Sequence, residues 1–252
     1  MKSKKVERAK KEIISDCFSV METSIDLSIQ DEYLKLSKTI DFDHINYKDA
    51  LIESKNLFFE NVSIESKKRI LLLLAHFGTA ESYRTIEKYL KVCKKDLRSW
   101  VLLALKECRM FLEKSLLGED GGFIFTGLGG KNNKLRYYFI ISSKNDSPFS
   151  RLQEEIIKDK FGNASHKFNA EIEEIIFGDI YSIIKVLIPT NKAVGKFIEA
   201  GIRECNEFND FLFFHYYVTN VNEPAKEEII RYLEEMRPKR KENKPATNDT
   251  KD

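Results

Sequence analysis

The residues best suited to chemistry lie in one run, Gly121-Gly-Phe-Ile-Phe-Thr-Gly-Leu-Gly-Gly-Lys-Asn-Asn-Lys-Leu-Arg136. Glycines bare backbone N–H groups and permit positive φ, the two properties a phosphate-cradling nest needs. Lys131, Lys134 and Arg136 add positive charge with no acid between them along the chain. Gly127, Gly129, Gly130, Lys131, Lys134 and Arg136 are therefore the candidate contacts for an anion or RNA. Two phosphate loops are excluded by spacing. A Walker A loop needs Gly-x4-Gly-Lys-Ser/Thr, but Asn132 follows Gly130-Lys131 and Phe125 stands at the position of the first glycine. A dinucleotide fingerprint fails because Asn132 stands where the third glycine belongs, and no helix follows. The plainer alternative, and the favoured one, is a glycine-rich β-hairpin at a domain junction. A catalytic loop is the third.

The other chemistry-bearing residues are scattered. His44, His76, His166 and His215 have no partners at readable spacing. His76 precedes Phe77-Gly78 at a helix end, where a cation suits the negative end of the dipole. Glu154-Glu155, Glu173-Glu174 and Glu234-Glu235 fall on expected solvated faces. Cys17, Cys93, Cys108 and Cys205 form no Cys-x-x-Cys and stand at no zinc-like spacing. They read as buried, reduced thiols, with no disulfide, no metal and no cofactor expected. No Gly-x-Ser-x-Gly or His-Glu-x-x-His occurs.

The elements that position these residues change in character along the chain. Up to residue 117 there is one glycine, Gly78, and no proline, whereas six glycines fall between 118 and 130. That shift sets the expected boundary: an α-helical region over 1–117 and an α/β region over 121–236. Helices are expected at about 4–22, 28–38, 47–60, 64–76, 80–91 and 97–117. Apolar spacing of 3 and 4 defines the 64–76 face, Thr79 caps 80–91, and Asp96 caps the next helix. Trp100 lies on that helix's apolar face with Leu103, Ala104 and Phe111 and is expected in the core.

After the glycines the period becomes that of strands. Lys134–Ser142, Ile172–Phe177, Ile180–Ile188 and Leu212–Val221 are rich in aromatic and β-branched residues. Helices are expected from Pro148 to about Phe161, from Asn191 to about Cys205, and from Pro224 to about Met236. The resulting order, β-α-β-β-α-β then α, is similar to the ferredoxin-like split βαβ fold. Gly122–Thr126 also reads as a strand and conflicts with that topology if it hairpins onto 134–142. An RNA-recognition motif shares the order, but its third strand needs a basic-Gly-aromatic run. Here that strand is Ile180-Tyr-Ser-Ile-Ile-Lys-Val-Leu-Ile188. Poor alternation in 180–188 and 212–221 implies that both sheet faces are covered, the second by the N-terminal region or a second subunit.

Charge and composition narrow the classes further. The 252 residues carry a formal charge of +2. Residues 1–12 hold +4 and 237–252 hold +3, leaving −5 on the body. A broad basic face built into the fold is thus unexpected, and 237–252 reads as a disordered basic tail. The longest aliphatic run, Ile70–Ala75, is too short to span a bilayer, and no apolar signal segment follows the first lysines. Arg69-Ile-Leu-Leu-Leu-Leu-Ala75 and Arg98-Ser-Trp-Val-Leu-Leu-Ala104 align at a spacing of 29. The stretch 60–116 thereby resembles HEAT-type helical repeats, which implies a protein-binding surface. Heavy Lys, Ile and Asn usage fits an AT-rich bacterial genome. The expected class is α+β: a HEAT-like helical region, then a ferredoxin-like sheet with an extra strand and a C-terminal helix. The expected function is a non-enzymatic cytoplasmic adaptor with an unknown protein partner, homo-oligomerisation left open, and no membrane contact. The alternative is an RNA- or ribosome-associated protein using the 127–136 hairpin and the basic tails.

Overall fold

The computed structural model describes residues 18–118 and 122–242. The chain divides into two compact units between Gly129 and Gly130. The class is α+β, with helices concentrated in the first unit and an antiparallel sheet in the second.

The first unit contains strand β1 (Phe18–Val20), helices α1 (Leu27–Thr39), α2 (Tyr47–Glu53), α3 (Ile64–Phe77), α4 (Ala80–Leu90) and α5 (Lys95–Leu117), and strand β2 (Gly122–Ile124). Two short 3-10 helices, Phe42–His44 and Ser54–Phe58, flank α2. Ser63 caps α3, and Gly78 ends it at φ 54°, a left-handed turn that suits glycine. Thr79 caps α4 through a 3.1 Å bond from the Ser82 N–H. Ile70 through Ala75 are all buried, so α3 is the hub of the core, joined there by Trp100, Val101 and Ala104 of α5. Asp96 is not the cap of α5. That helix begins two residues earlier, at Lys95 after Lys94, and Asp96 lies in its first turn.

The expected helix over 4–22 is corrected where it is described. Phe18–Val20 is a strand paired parallel with Gly122–Ile124, and residues 1–17 lie outside the described residues. A short β-branched and aromatic run takes whatever partner the fold offers. This pairing also holds 122–129 in the first unit, so the division falls inside the glycine-rich run, between Gly129 and Gly130.

The second unit contains β3 (Gly130–Lys131), β4 (Lys134–Ser142), α6 (Arg151–Phe168), β5 (Glu171–Phe177), β6 (Tyr181–Pro189), α7 (Val194–Asn206), β7 (Tyr217–Thr219) and α8 (Lys226–Glu242). The sheet order is β7-β4-β6-β5, antiparallel throughout, which is the ferredoxin-like split βαβ order. β6 pairs with the whole length of β4, so β3 and β7 share the opposite edge of β4 at different heights. The strand expected over 212–221 is shorter. Leu212 makes an isolated bridge to Ser143, and regular pairing resumes only at Tyr217–Thr219. Helix α6 runs past Phe161 to Phe168 from a Ser150–Gln153 capping box.

Phe139, Ile141, Ile184, Val186 and Ile188 pack beneath α6 and α7, against Phe161 and Phe197. The opposite face is covered in part by α8, whose Ile229 and Tyr232 meet Ile140, Tyr181, Ile183 and Tyr217. Tyr232 also donates a 2.9 Å bond to the His215 carbonyl. Helix α8 continues through Pro238 to Glu242 instead of ending at Met236, because strong helix formers stand on both sides of the proline. The rest of the basic tail, 243–252, lies outside the described residues.

Candidate functional site

The six residues singled out from the glycine-rich run are not assembled as a nest. Gly127, Gly129 and Gly130 are buried. The Gly127 carbonyl accepts a bond from the Ser24 hydroxyl. Gly129 has φ +65°, and a Cβ there would stand 2.5 Å from the Glu22 carbonyl oxygen. Positive φ is found at Gly129 but not at Gly127 or Gly130; the turn that follows is made by Asn132 and Asn133, at φ 49° and 60°. Two consecutive positive φ values are what a two-residue hairpin between β3 and β4 requires.

The positive charges of the run do have acidic neighbours in space. Glu171 and Glu173 lie on β5, two strands from β4. Lys131 Nζ is 3.7 Å from Glu171, and Arg136 holds Glu173 at two points, 2.6 and 2.8 Å. Lys185 reaches the same carboxylate at 4.0 Å. The Arg136 hydrogen bond holds the Glu173 carboxyl below its ordinary pKa. Lys134 is half-buried at the start of β4, opposite Lys131.

Other polar groups have local partners. In the first unit, the buried Tyr33 hydroxyl donates to Glu107 at 2.5 Å, and burial raises the pKa of both groups. A groove of about 700 Å³ between α1 and α3 is lined by Asp31, Glu32, Lys35, Glu65, Lys68 and Arg69. Its charges compensate one another, with Lys68 2.6 Å from Glu32 and Lys35 2.6 Å from Asp31. His76 lies in the last turn of α3. It is stacked on Phe42 at 3.8 Å and set edge-on to Phe111, and burial lowers its pKa. Cys93, Cys108 and Cys205 are free thiols; burial pushes Cys108 and Cys205 up to about 12, while Cys93 is only partly buried. Among the described residues no group of His, Cys, Asp or Glu is placed to hold a metal ion, and no helix is long and apolar enough to cross a membrane.

One surface combines uncovered apolar area with unpaired charge. In the first unit, Tyr89 is buried near the end of α4, and Phe58 leans on it edge-to-face at 5.7 Å. Phe58 is nevertheless 47% exposed, Phe59 56%, Ile64 45% and Val92 65%. Lys67 Nζ lies 5.9 Å over the Tyr89 ring. Residues three apart eclipse in a 3-10 helix, which puts Lys55 on the Phe58 side of Ser54–Phe58. Lys88 and Val92 are four apart across the end of α4, and Lys91, Lys94 and Lys95 follow, all exposed. Sequence reading passed over this surface. The signal available was Phe58-Phe59 at the end of a helical stretch, followed by lysines at spacings of 3 and 4 at 88, 91 and 95.

No family model matches the chain, and no curated protein matches it. Among solved structures, a putative transposase from Deinococcus radiodurans is similar at 17% identity and a TM-score of 0.35, over 40% of this chain and 90% of its own. A likeness so slight carries nothing about function, which rests on the chain's own geometry.

Proposed function

We propose that the protein is a non-enzymatic protein-interaction module of the cytoplasm that binds through the Phe58–Phe59 surface of its helical unit. The observation that carries this reading is the exposure of Phe58, Phe59, Ile64 and Val92 around one buried tyrosine. Large apolar side chains clustered on a surface mark interaction sites, whereas scattered ones do not. The HEAT-type resemblance points the same way. Its two related segments lie on α3 and α5, both of which contribute to the core of this unit. Free thiols at Cys93, Cys108 and Cys205 suit a reducing compartment. The RNA alternative loses support from the buried glycines and from the pairing of Lys131 and Arg136 with glutamates.

Affinity purification of the full chain from its own cells tests this. The specifically co-purifying proteins should be lost with Phe58→Ser/Phe59→Ser while the melting temperature is kept. An unchanged set of partners would overturn the reading. Ribosomes retained by both forms and released by salt would restore the RNA alternative.

A further inference from the structure

We infer that the partner accepted by this surface is an acidic segment of another protein whose apolar side chains seat around Phe58, Phe59 and Val92. The inference rests on the reading that Phe58 and Phe59 form a binding surface, and adds the partner's charge.

Lys55, Lys67, Lys88, Lys91, Lys94 and Lys95 make no salt bridge among the described residues. Two other lysines of the same unit, Lys35 and Lys68, each hold a carboxylate at 2.6 Å. Local structure explains some of the lysines. Lys88 and Lys91 suit the negative end of the α4 dipole. It does not explain Lys94 and Lys95, which stand at the positive end of α5, where a cation is unfavourable. That end also has no side-chain cap, and the single carboxylate in its first turn, Asp96, stands against two lysines and the positive end of the dipole. A carboxylate-bearing partner would relieve both costs.

The surface is less suited to an anionic bilayer. Its aromatic rings are half-covered and do not stand clear of the fold, and Glu60 and Glu65 are exposed beside Phe59 and Ile64. A flat anionic surface would have to meet those carboxylates, whereas a peptide can pass between them.

The probe is a phage-displayed library of random peptides panned against the full chain. The strongest peptides are then synthesised and titrated by fluorescence anisotropy at low and high salt. The expected sequences combine aromatic or aliphatic anchors with several Asp or Glu. Phe58→Ser/Phe59→Ser should abolish their binding. Lys91→Ser/Lys94→Ser/Lys95→Ser, on exposed residues, should weaken it about tenfold, the combined effect of a few exposed charge pairs, and flatten its salt dependence. Phe-dependent peptides without acidic residues, indifferent to the lysine change, would overturn this inference and leave the interaction surface standing. Finding no Phe-dependent peptide would overturn both. Phe-dependent binding to phosphatidylglycerol vesicles without any acidic peptide would replace the protein partner with a bilayer. Self-association in light scattering, abolished by the Phe change, would replace it with a second copy.

Discussion

Arg136 on β4 and Glu173 on β5 form a two-point ion pair that reaches across the intervening strand β6. Both side chains are largely shielded, at 18% and 21% exposure. Bidentate pairs of this kind are among the stronger surface interactions, so Arg136→Gln should cost about 1 kcal/mol at neutral pH. The pH dependence has a definite sign. The Arg136 hydrogen bond lowers the Glu173 pKa below its value in the unfolded chain. The contribution is therefore complete above the ordinary carboxyl range and disappears as pH falls through the lowered folded value. Chemical denaturation of both forms should show a gap at neutral pH that closes on acidification; a gap that survives in acid would assign the loss to packing instead.

The 127–136 run should behave as a structural turn. Gly129→Val imposes a side chain at φ +65° and drives a Cβ to 2.5 Å from the Glu22 carbonyl oxygen. The backbone strain alone is worth roughly 1–3 kcal/mol, and thermal melts should show at least that loss. Changing Lys131, Lys134 and Arg136 together to Ala should leave RNA retention on filters, and its salt slope, unaltered. If these residues instead neutralised a single-stranded phosphate backbone, the slope would fall by about 0.7 for each phosphate no longer neutralised.

Trp100 is 1% exposed in the centre of the helical unit, tilted against Tyr33 with centroids 4.9 Å apart. Trp100→Ala should lower unfolding free energy by roughly 3–5 kcal/mol, as expected for deleting a large buried aromatic. Its Nε1 has no hydrogen-bond partner among the described residues. Trp100→Phe should therefore cost less than lost volume alone suggests, since it also removes an unsatisfied donor. Denaturant titration of the two variants checks both expectations.

Glu107 supplies the opposite pH dependence. Burial raises its folded pKa above the unfolded value, although the Tyr33 hydrogen bond acts against the rise. Stability tied to this group is complete below the unfolded pKa and is lost as pH rises through the raised folded value. Glu107→Gln should flatten that loss and raise the melting temperature at pH 7 to 8, because an amide can still accept from Tyr33 without a buried charge. Tyr33→Phe should destabilise by about 1–3 kcal/mol at the same pH, the cost of leaving a buried carboxylate without its donor. Melting curves across pH that do not separate the two variants would contradict this account.

The sequence by itself determined the local choices. Helix faces at 64–76 and 80–91, the Thr79 cap, the Gly78 stop, buried Trp100 and the βαββαβ order depend on spacing and propensity within a few residues, and the fold keeps them. Tertiary structure decided whatever depends on a distant partner. Phe18–Val20 became a strand because Gly122–Ile124 was available to it. Part of the second sheet face is covered by α8, whose Ile229 and Tyr232 come from some 90 residues beyond Ile140. The same distinction separates the two candidate sites. Lys131 and Arg136 are without acids along the chain, yet β5 delivers Glu171 and Glu173 from some 40 residues away. Phe58 and Val92 are 34 residues apart and become one surface only when the Ser54–Phe58 turn docks on Tyr89. Charge pairing and apolar clustering are pairwise distances in space, and periodicity along a chain does not encode them.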